Sequence, residues 1–141
     1  MDNRDRRMCW HGMFLFLLGL LTGFVELQFA NPRMGLAAHL EGVMNGIFLV
    51  ALGAAWRHVT LAPKPKFAAY VLALYGAYAN WFMTTMAAIF GTATLSPITA
   101  DGHSGLPWQE TIVTLGFMSV GLTIVTASLL ILWGLRGTTQ A

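Results

Sequence analysis

Residues 36–56 read LAAHLEGVMNGIFLVALGAAW. As an α-helix, this stretch is long enough to cross the hydrocarbon layer of a bilayer, which is about 30 Å thick, because a helix rises about 1.5 Å per residue. It nevertheless carries three polar side chains within seven residues, His39, Glu41 and Asn45. Polar groups at membrane depth are costly and are usually kept for a function. The segment therefore predicts a membrane-spanning helix that contributes to a functional site.

The rest of the chain has the same apolar character. Of its 141 residues, 56% are hydrophobic and 10% are charged, whereas soluble domains average about 45–50% and about 25%. Three more apolar blocks are present, and loops that contain proline separate the four. We therefore predict an all-α membrane protein, a four-transmembrane-helix bundle that forms a single domain over residues 1–141. The four helices are predicted at about residues 10–30, 36–56, 67–90 and 111–135.

The positive charges predict how this bundle is oriented. Seven of the eight Lys and Arg residues fall on one side of a four-helix topology, and only Arg33 falls on the other. Cytoplasmic loops of membrane proteins carry an excess of such residues, so both termini are expected to be cytoplasmic. The net charge of +2 then reflects membrane orientation, and we expect membrane lipid and no nucleic acid as a partner. The seven residues are Arg4, Arg6, Arg7, Arg57, Lys64, Lys66 and Arg136.

Two asparagines are predicted to meet near the middle of the membrane. Counted inward from the outer helix ends at about 1.5 Å per residue, Asn45 lies about 14 Å deep and Asn80 about 15 Å deep. They could bind a substrate, or they could simply hydrogen-bond across their helices and contribute about 1 kcal/mol to packing. Glu26 and Glu41 fall in the outer third, where they could reach the surface or pair with Arg33.

The histidine shares one helix face with several glycines. At about 100° per residue, His39, Gly42, Gly46 and Gly53 form one stripe. The Gly42–Gly46 spacing is a G-x-x-x-G pattern, which usually lets two helices approach closely. Alternatively, a flat ligand could lie on Gly42 and Gly46 with its metal on the imidazole, which describes a haem with His39 as axial ligand. Glu41 and Asn45 point roughly 120–160° away from His39, which argues against a non-haem site built from this helix alone.

Two short segments carry a family resemblance. Residues 31–46, NPRMGLAAHLEGVMNG, and residues 10–13, WHGM, resemble the hydroxylaminobenzene mutases. These are small bacterial membrane enzymes of nitroarene degradation that convert an N-arylhydroxylamine to an aminophenol. The resemblance implies that this chain is a mutase (an isomerase) and a multi-pass protein of the bacterial inner membrane.

A more distant likeness is to styrene oxide isomerase, a trimer of four-helix subunits with a haem b at each interface. Its histidine, followed six residues later by Asn-Gly, is similar to His39, Asn45 and Gly46, and its Ala-Asn pair on the third helix is similar to Ala79-Asn80. The resemblance implies a homotrimer in which His39 binds the haem iron while Asn45 and Asn80 act on the substrate. Thr84 stands where the isomerase has a tyrosine, which disfavours epoxide isomerisation.

The expected chemistry is an intramolecular hydroxyl transfer. Hydroxylaminobenzene loses its N–O bond and gains a C–O bond on the ring, with no net oxidation. A haem iron would act as the Lewis acid, and the neutral amides of Asn45 and Asn80 would orient the substrate without trapping a cation. Tyr78 and Thr84, on the same helix as Asn80, are further candidates for substrate contact.

Three other functions remain open at the level of sequence. The first is aryl epoxide isomerisation of the styrene oxide isomerase type. The second is a non-enzymatic haem-binding or quinone-binding subunit of an electron-transfer complex. The third is a transporter subunit in which Glu26 and Glu41 carry protons. The segment Gly91–Glu110 is expected to lie outside the membrane, as a lid or a subunit contact.

Overall fold

The computed structural model describes residues 3–137, and these contain helices and no strand. Four helices are long, and one short helix and two 3₁₀ turns, Glu26–Gln28 and Trp56–His58, lie between them. The five α-helices are α1 (Asn3–Val25), α2 (Pro32–Ala55), α3 (Pro63–Phe90), α4 (Pro97–Ala100) and α5 (Pro107–Gly134).

The long helices begin earlier than the apolar blocks predict. Pro32, Pro63 and Pro107 open α2, α3 and α5. Proline suits a first helical position because its φ is already helical and its missing N–H would have no partner there. Helix α1 begins at Asn3 instead of about residue 10, because the charged residues before Trp10 continue the same helix. Hydropathy therefore marks the apolar part of each helix and not its ends.

Consecutive long helices run antiparallel. Gly12 of α1 lies against Gly46 and Val50 of α2, whereas Gly23 of α1 lies against His39. Helix α2 packs between α1 and α3, and α5 packs on α3. Small residues let α3 approach its neighbours closely. They are the fully buried Ala69, Ala73 and Ala77, together with Gly76, which touches Ile124 of α5.

The segment between α3 and α5 is hydrogen-bonded to residues near the first turns of α2 and α5. Asn31 is fully buried, caps α2 by accepting a hydrogen bond from Met34 N at 3.1 Å, and donates to Thr99 O at 3.0 Å. The carboxylate of Glu110 accepts hydrogen bonds from backbone N–H groups of the same segment, including Ala93 and Gly105. This part of the expected outer region is therefore held in a defined conformation.

The outward surfaces of the long helices are strongly apolar. Phe24 is 82% exposed, Leu122 72% and Met118 61%. Among the described residues, three helical segments are long and apolar enough to cross a membrane: Asn3–Gln28, Pro32–His58 and Pro107–Gly134. Helix α3 has 28 residues but does not belong to this set. The chain is therefore a helical membrane protein, and three of its four long helices have the character of membrane spans.

Candidate functional site

A polar cluster joins α2 to α3. The carboxylate oxygen Oε2 of Glu41 accepts hydrogen bonds from Asn45 Nδ2 at 2.9 Å and from Asn80 Nδ2. Asn45 Nδ2 also donates to the backbone oxygen of Glu41 at 2.8 Å. All three residues are half-buried. We call Glu41, Asn45 and Asn80 the amide cluster.

Asn45 and Asn80, which were predicted to lie at the same depth in the membrane, do come together. They do not bond to each other but both donate to Glu41. Glu41 was expected to reach the surface or to pair with Arg33. The structure gives Arg33 a different partner, Asp101, with 3.2 Å between Nη1 and Oδ1. The four-residue spacing of Glu41 and Asn45 places both on one helix face and is the signal that could have revealed their contact.

His39 lies on the opposite flank of α2, next to α1. Its Nδ1 is 2.8 Å from the backbone oxygen of Gly19. Because a carbonyl oxygen only accepts hydrogen bonds, Nδ1 is the donor in this contact, and in a neutral imidazole Nε2 is then the nitrogen with the lone pair. The imidazole lies over Gly23, where a Cβ would come within 2.7 Å of Nδ1.

The imidazole of His39 lines an open groove of about 430 Å³ on the outside of α1 and α2. Oε2 of Glu26 is buried and has no hydrogen-bond partner among residues 3–137. No group of three or more His, Cys, Asp or Glu residues in the described chain could hold a metal ion. The other residues lining this groove, which we call the histidine groove, are Leu17, Leu20, Leu21, Gly23, Phe24, Glu26 and Leu36.

Gly42 and Gly46 do not form an open surface for a flat ligand within the subunit. A Cβ on Gly46 would lie 2.6 Å from Phe16 N, and one on Gly42 would collide with the backbone of Gly19. Helix α1 therefore covers the glycine stripe, and the G-x-x-x-G spacing serves close helix packing here. This corrects the expectation that Gly42 and Gly46 support a haem.

Tyr78 and Thr84 use their hydroxyl groups elsewhere. Tyr78 Oη donates to the backbone oxygen of His11 and lies 3.1 Å from His11 Nδ1. Thr84 is buried and donates to Asn80 O at 2.8 Å. Neither hydroxyl bonds to the side chains of the amide cluster. His11 lies within α1, which begins before Trp10, and its side chain reaches Tyr78 of α3.

Comparison with known proteins identifies the family. The family model for styrene oxide isomerase matches residues 4–136 of the chain. The chain belongs to this family. The distant likeness that began with His39, Asn45 and Gly46 therefore extends over nearly the whole sequence.

Two members of known name are similar over most of their length. Hydroxylaminobenzene mutase HabB of Ectopseudomonas oleovorans is 46% identical over 132 residues, which are 93% of this chain and 80% of HabB. Hydroxylaminobenzene mutase HabA of the same organism is 39% identical over 125 residues, 88% of this chain and 93% of HabA. The predicted resemblance is confirmed, and so is the prediction of an isomerase-type enzyme. No solved structure matches the chain.

Proposed function

We propose that the chain is an N-arylhydroxylamine mutase, which converts hydroxylaminobenzene to an aminophenol by intramolecular hydroxyl transfer. The observation that carries the proposal is the amide cluster, since it gathers polar side chains within an otherwise apolar bundle. The names of the two relatives support an aromatic hydroxylamine as the substrate. The alternative of a non-enzymatic subunit has no such support.

The proposed location is the bacterial inner membrane, crossed four times. Helix α3 has 28 residues and packs between α2 and α5, two helices with the character of spans. Its polar residues include Asn80, which is bonded within the protein and need not face lipid. The excess of Lys and Arg near the N-terminus and the α2–α3 connection favours cytoplasmic termini.

The proposed cofactor is haem b, with His39 as the protein ligand of its iron. The geometry fits this ligand, because metal-bound histidines commonly donate their second ring N–H to a carbonyl, as His39 Nδ1 does to Gly19 O. The apolar side chains of the histidine groove suit a porphyrin edge. When bound, an iron with one protein ligand would supply a Lewis acid that weakens the N–O bond.

The residues of the chain would bind and orient the substrate. The N–O bond breaks and a C–O bond forms at a ring carbon. That carbon loses one proton and the nitrogen gains one, so the product is an isomer of the substrate. Asn45 and Asn80 are neutral and do not attack a cationic ring. Their role is to hold the hydroxylamine and to keep its oxygen near the ring.

The proposed assembly is a homotrimer. His39 contacts α1 and the amide cluster contacts α3, so the two groups lie on opposite flanks of α2. One subunit therefore does not present both to the same small substrate. In a ring, each contact joins one flank of a subunit to the other flank of the next. A trimer of this kind would complete three equal sites.

Aryl epoxide isomerisation is the second candidate, because the family model that matches is named for styrene oxide isomerase. The test is to supply the detergent-purified protein with hydroxylaminobenzene and, separately, with styrene oxide. We expect aminophenol from the first and little isomerisation of the second, as measured by chromatography, with a Soret band in the absorption spectrum. Rapid isomerisation of the epoxide without any aminophenol would replace the proposed function with the second one.

A further inference from the structure

The amide cluster has an unusual hydrogen-bonding polarity. A carboxylate only accepts hydrogen bonds, so the groups that face Glu41 Oε2 must be the NH₂ ends of the two amides. Asn45 donates both of its N–H groups, one to Glu41 Oε2 and one to Glu41 O. Asn80 donates one of its two N–H groups to Glu41 Oε2. The carbonyl ends of both amides therefore point away from the carboxylate.

The free atoms of the cluster are mostly acceptors. Within residues 3–137, no donor reaches Glu41 Oε1, Asn45 Oδ1 or Asn80 Oδ1. None of these three oxygens is enclosed by the subunit. One N–H, on Asn80, remains as a donor. In an apolar layer that lacks water, unpaired acceptors are costly, so the cluster favours a ligand that brings donors.

This polarity separates two classes of substrate. An N-arylhydroxylamine carries two adjacent donors, N–H and O–H. An aryl epoxide carries none, and its oxygen is itself an acceptor. A binding site built around hydrogen bonds to a donor rejects analogues that lack it, because its own polar atoms are then left unpaired.

We propose that Glu41 determines the substrate specificity of the site by turning the Asn45 and Asn80 amides so that their oxygens face the ligand, which selects aryl hydroxylamines over aryl epoxides. The inference rests on the proposed function. Glu41 acts here as a positioning residue for the two amides, and Oε1 adds a third acceptor. A glutamine at this position can still accept both amide N–H groups on its one carbonyl oxygen, but its NH₂ then takes the place of Oε1, so the ligand meets a donor where the carboxylate offers a charged acceptor.

The test measures binding separately from turnover. Benzyl alcohol carries one O–H donor, and its methyl ether has nearly the same shape without a donor; neither can rearrange. Dissociation constants for both are measured by titration calorimetry on the detergent-purified protein. We expect the original chain to prefer the alcohol, and Glu41→Gln to lose about 10- to 100-fold of that preference, the range for a hydrogen bond to a charged group. Glu41→Asp, which restores a carboxylate, should recover part of it.

The matched control is Asp101→Asn, which makes the same change of carboxylate to amide at a residue whose side chain is 60% exposed. It should leave the ratio of the two dissociation constants unchanged. Equal weakening of both ligands in Glu41→Gln would show a structural role for Glu41 and would overturn the inference. If Glu41→Gln does not fold, the original chain still decides, because equal affinity for alcohol and ether contradicts the proposal.

Failure of this inference can be distinguished from failure of the proposed function. Aminophenol production by the original chain tests the function alone. If aminophenol forms but Glu41→Gln keeps the preference for the alcohol, only the role of Glu41 is lost. If no aminophenol forms, the proposed function is lost whatever the two dissociation constants are.

Discussion

At the level of single residues, the protein has two separate polar sites, the amide cluster and His39. Glu41 holds one amide from its own helix and one from α3, and His39 holds its proton toward the backbone of α1. The first arrangement orients amides, and the second leaves Nε2 as the ring nitrogen that is available to a metal. These are the requirements of substrate binding and of metal ligation, respectively, and they can be tested one residue at a time.

The asparagines should matter for turnover more than for the content of the proposed haem. Changing Asn45 or Asn80 to Leu should leave the haem absorbance per protein near normal and lower kcat. Loss of one hydrogen bond at the transition state costs about 3–4 kcal/mol, on the order of 10²–10³ in rate. Turnover per haem and thermal unfolding are measured on the same samples. A lower Tm with unchanged turnover would mean that the amides serve packing only.

His39 should be required for binding of the proposed haem. His39→Ala should abolish both the Soret band and activity, because no other described histidine lines the histidine groove. His11→Ala is the matched control: its side chain contacts Tyr78 on α3, so the haem should remain. Full Soret absorbance in His39→Ala would contradict the assignment of the ligand.

At the scale of helices, the tight contact between α1 and α2 sets the positions of both flanks of α2. Gly19 and Gly42 bring the two backbones together, and Trp81 of α3 fills the space beside Gly42 and donates to Thr22 Oγ1 at 3.0 Å. The three helices therefore hold one another, and His39 and Glu41 are fixed on opposite sides of one helix.

Gly42→Ala should destabilise the fold, because the added Cβ would collide with the backbone of α1. Overpacking of this kind costs about 1–3 kcal/mol, which should appear as a lower Tm in detergent. Gly121→Ala is the control, since a Cβ there meets nothing within 4 Å. An unchanged Tm in Gly42→Ala together with loss of haem would instead place the haem on the glycine face.

The sequence predicts the helices better than it predicts the contacts between them. Long apolar blocks are sufficient for the four helices and their alternating directions, because length and hydropathy are local properties. The partner of Glu41 is not local: it depends on the rotation of α3, which brings Asn80 into reach, while Arg33 pairs with Asp101. For the same reason, the glycine stripe alone could not reveal whether a helix or a ligand covers it.

In the whole molecule, His39 and the amide cluster lie on opposite flanks of α2 and do not face each other. Its exposed surface is apolar over much of α1, α2 and α5. A lone subunit would therefore leave Nε2 of His39 and the acceptor oxygens of the amide cluster without partners at membrane depth. The proposed assembly into a ring would remove both costs at once, and it would make the function of one subunit depend on the next.

A shared site predicts complementation between inactive variants. His39→Ala subunits keep the amide cluster, and Asn80→Leu subunits keep the histidine. When the two are co-expressed and purified as mixed oligomers, some interfaces should combine an intact His39 with an intact Asn80 and regain activity. Activity per protein is compared with that of each variant alone. If mixed oligomers form but stay inactive, both groups act within one subunit.

The hydroxyl group is proposed to move within one molecule of substrate. The most direct test incubates the purified protein with hydroxylaminobenzene in ¹⁸O-labelled water and measures the mass of the aminophenol. Because the amide cluster is proposed to hold the departing oxygen near the ring, the product should carry no label. Full incorporation of ¹⁸O would mean that bulk water attacks a free cation and would contradict intramolecular transfer.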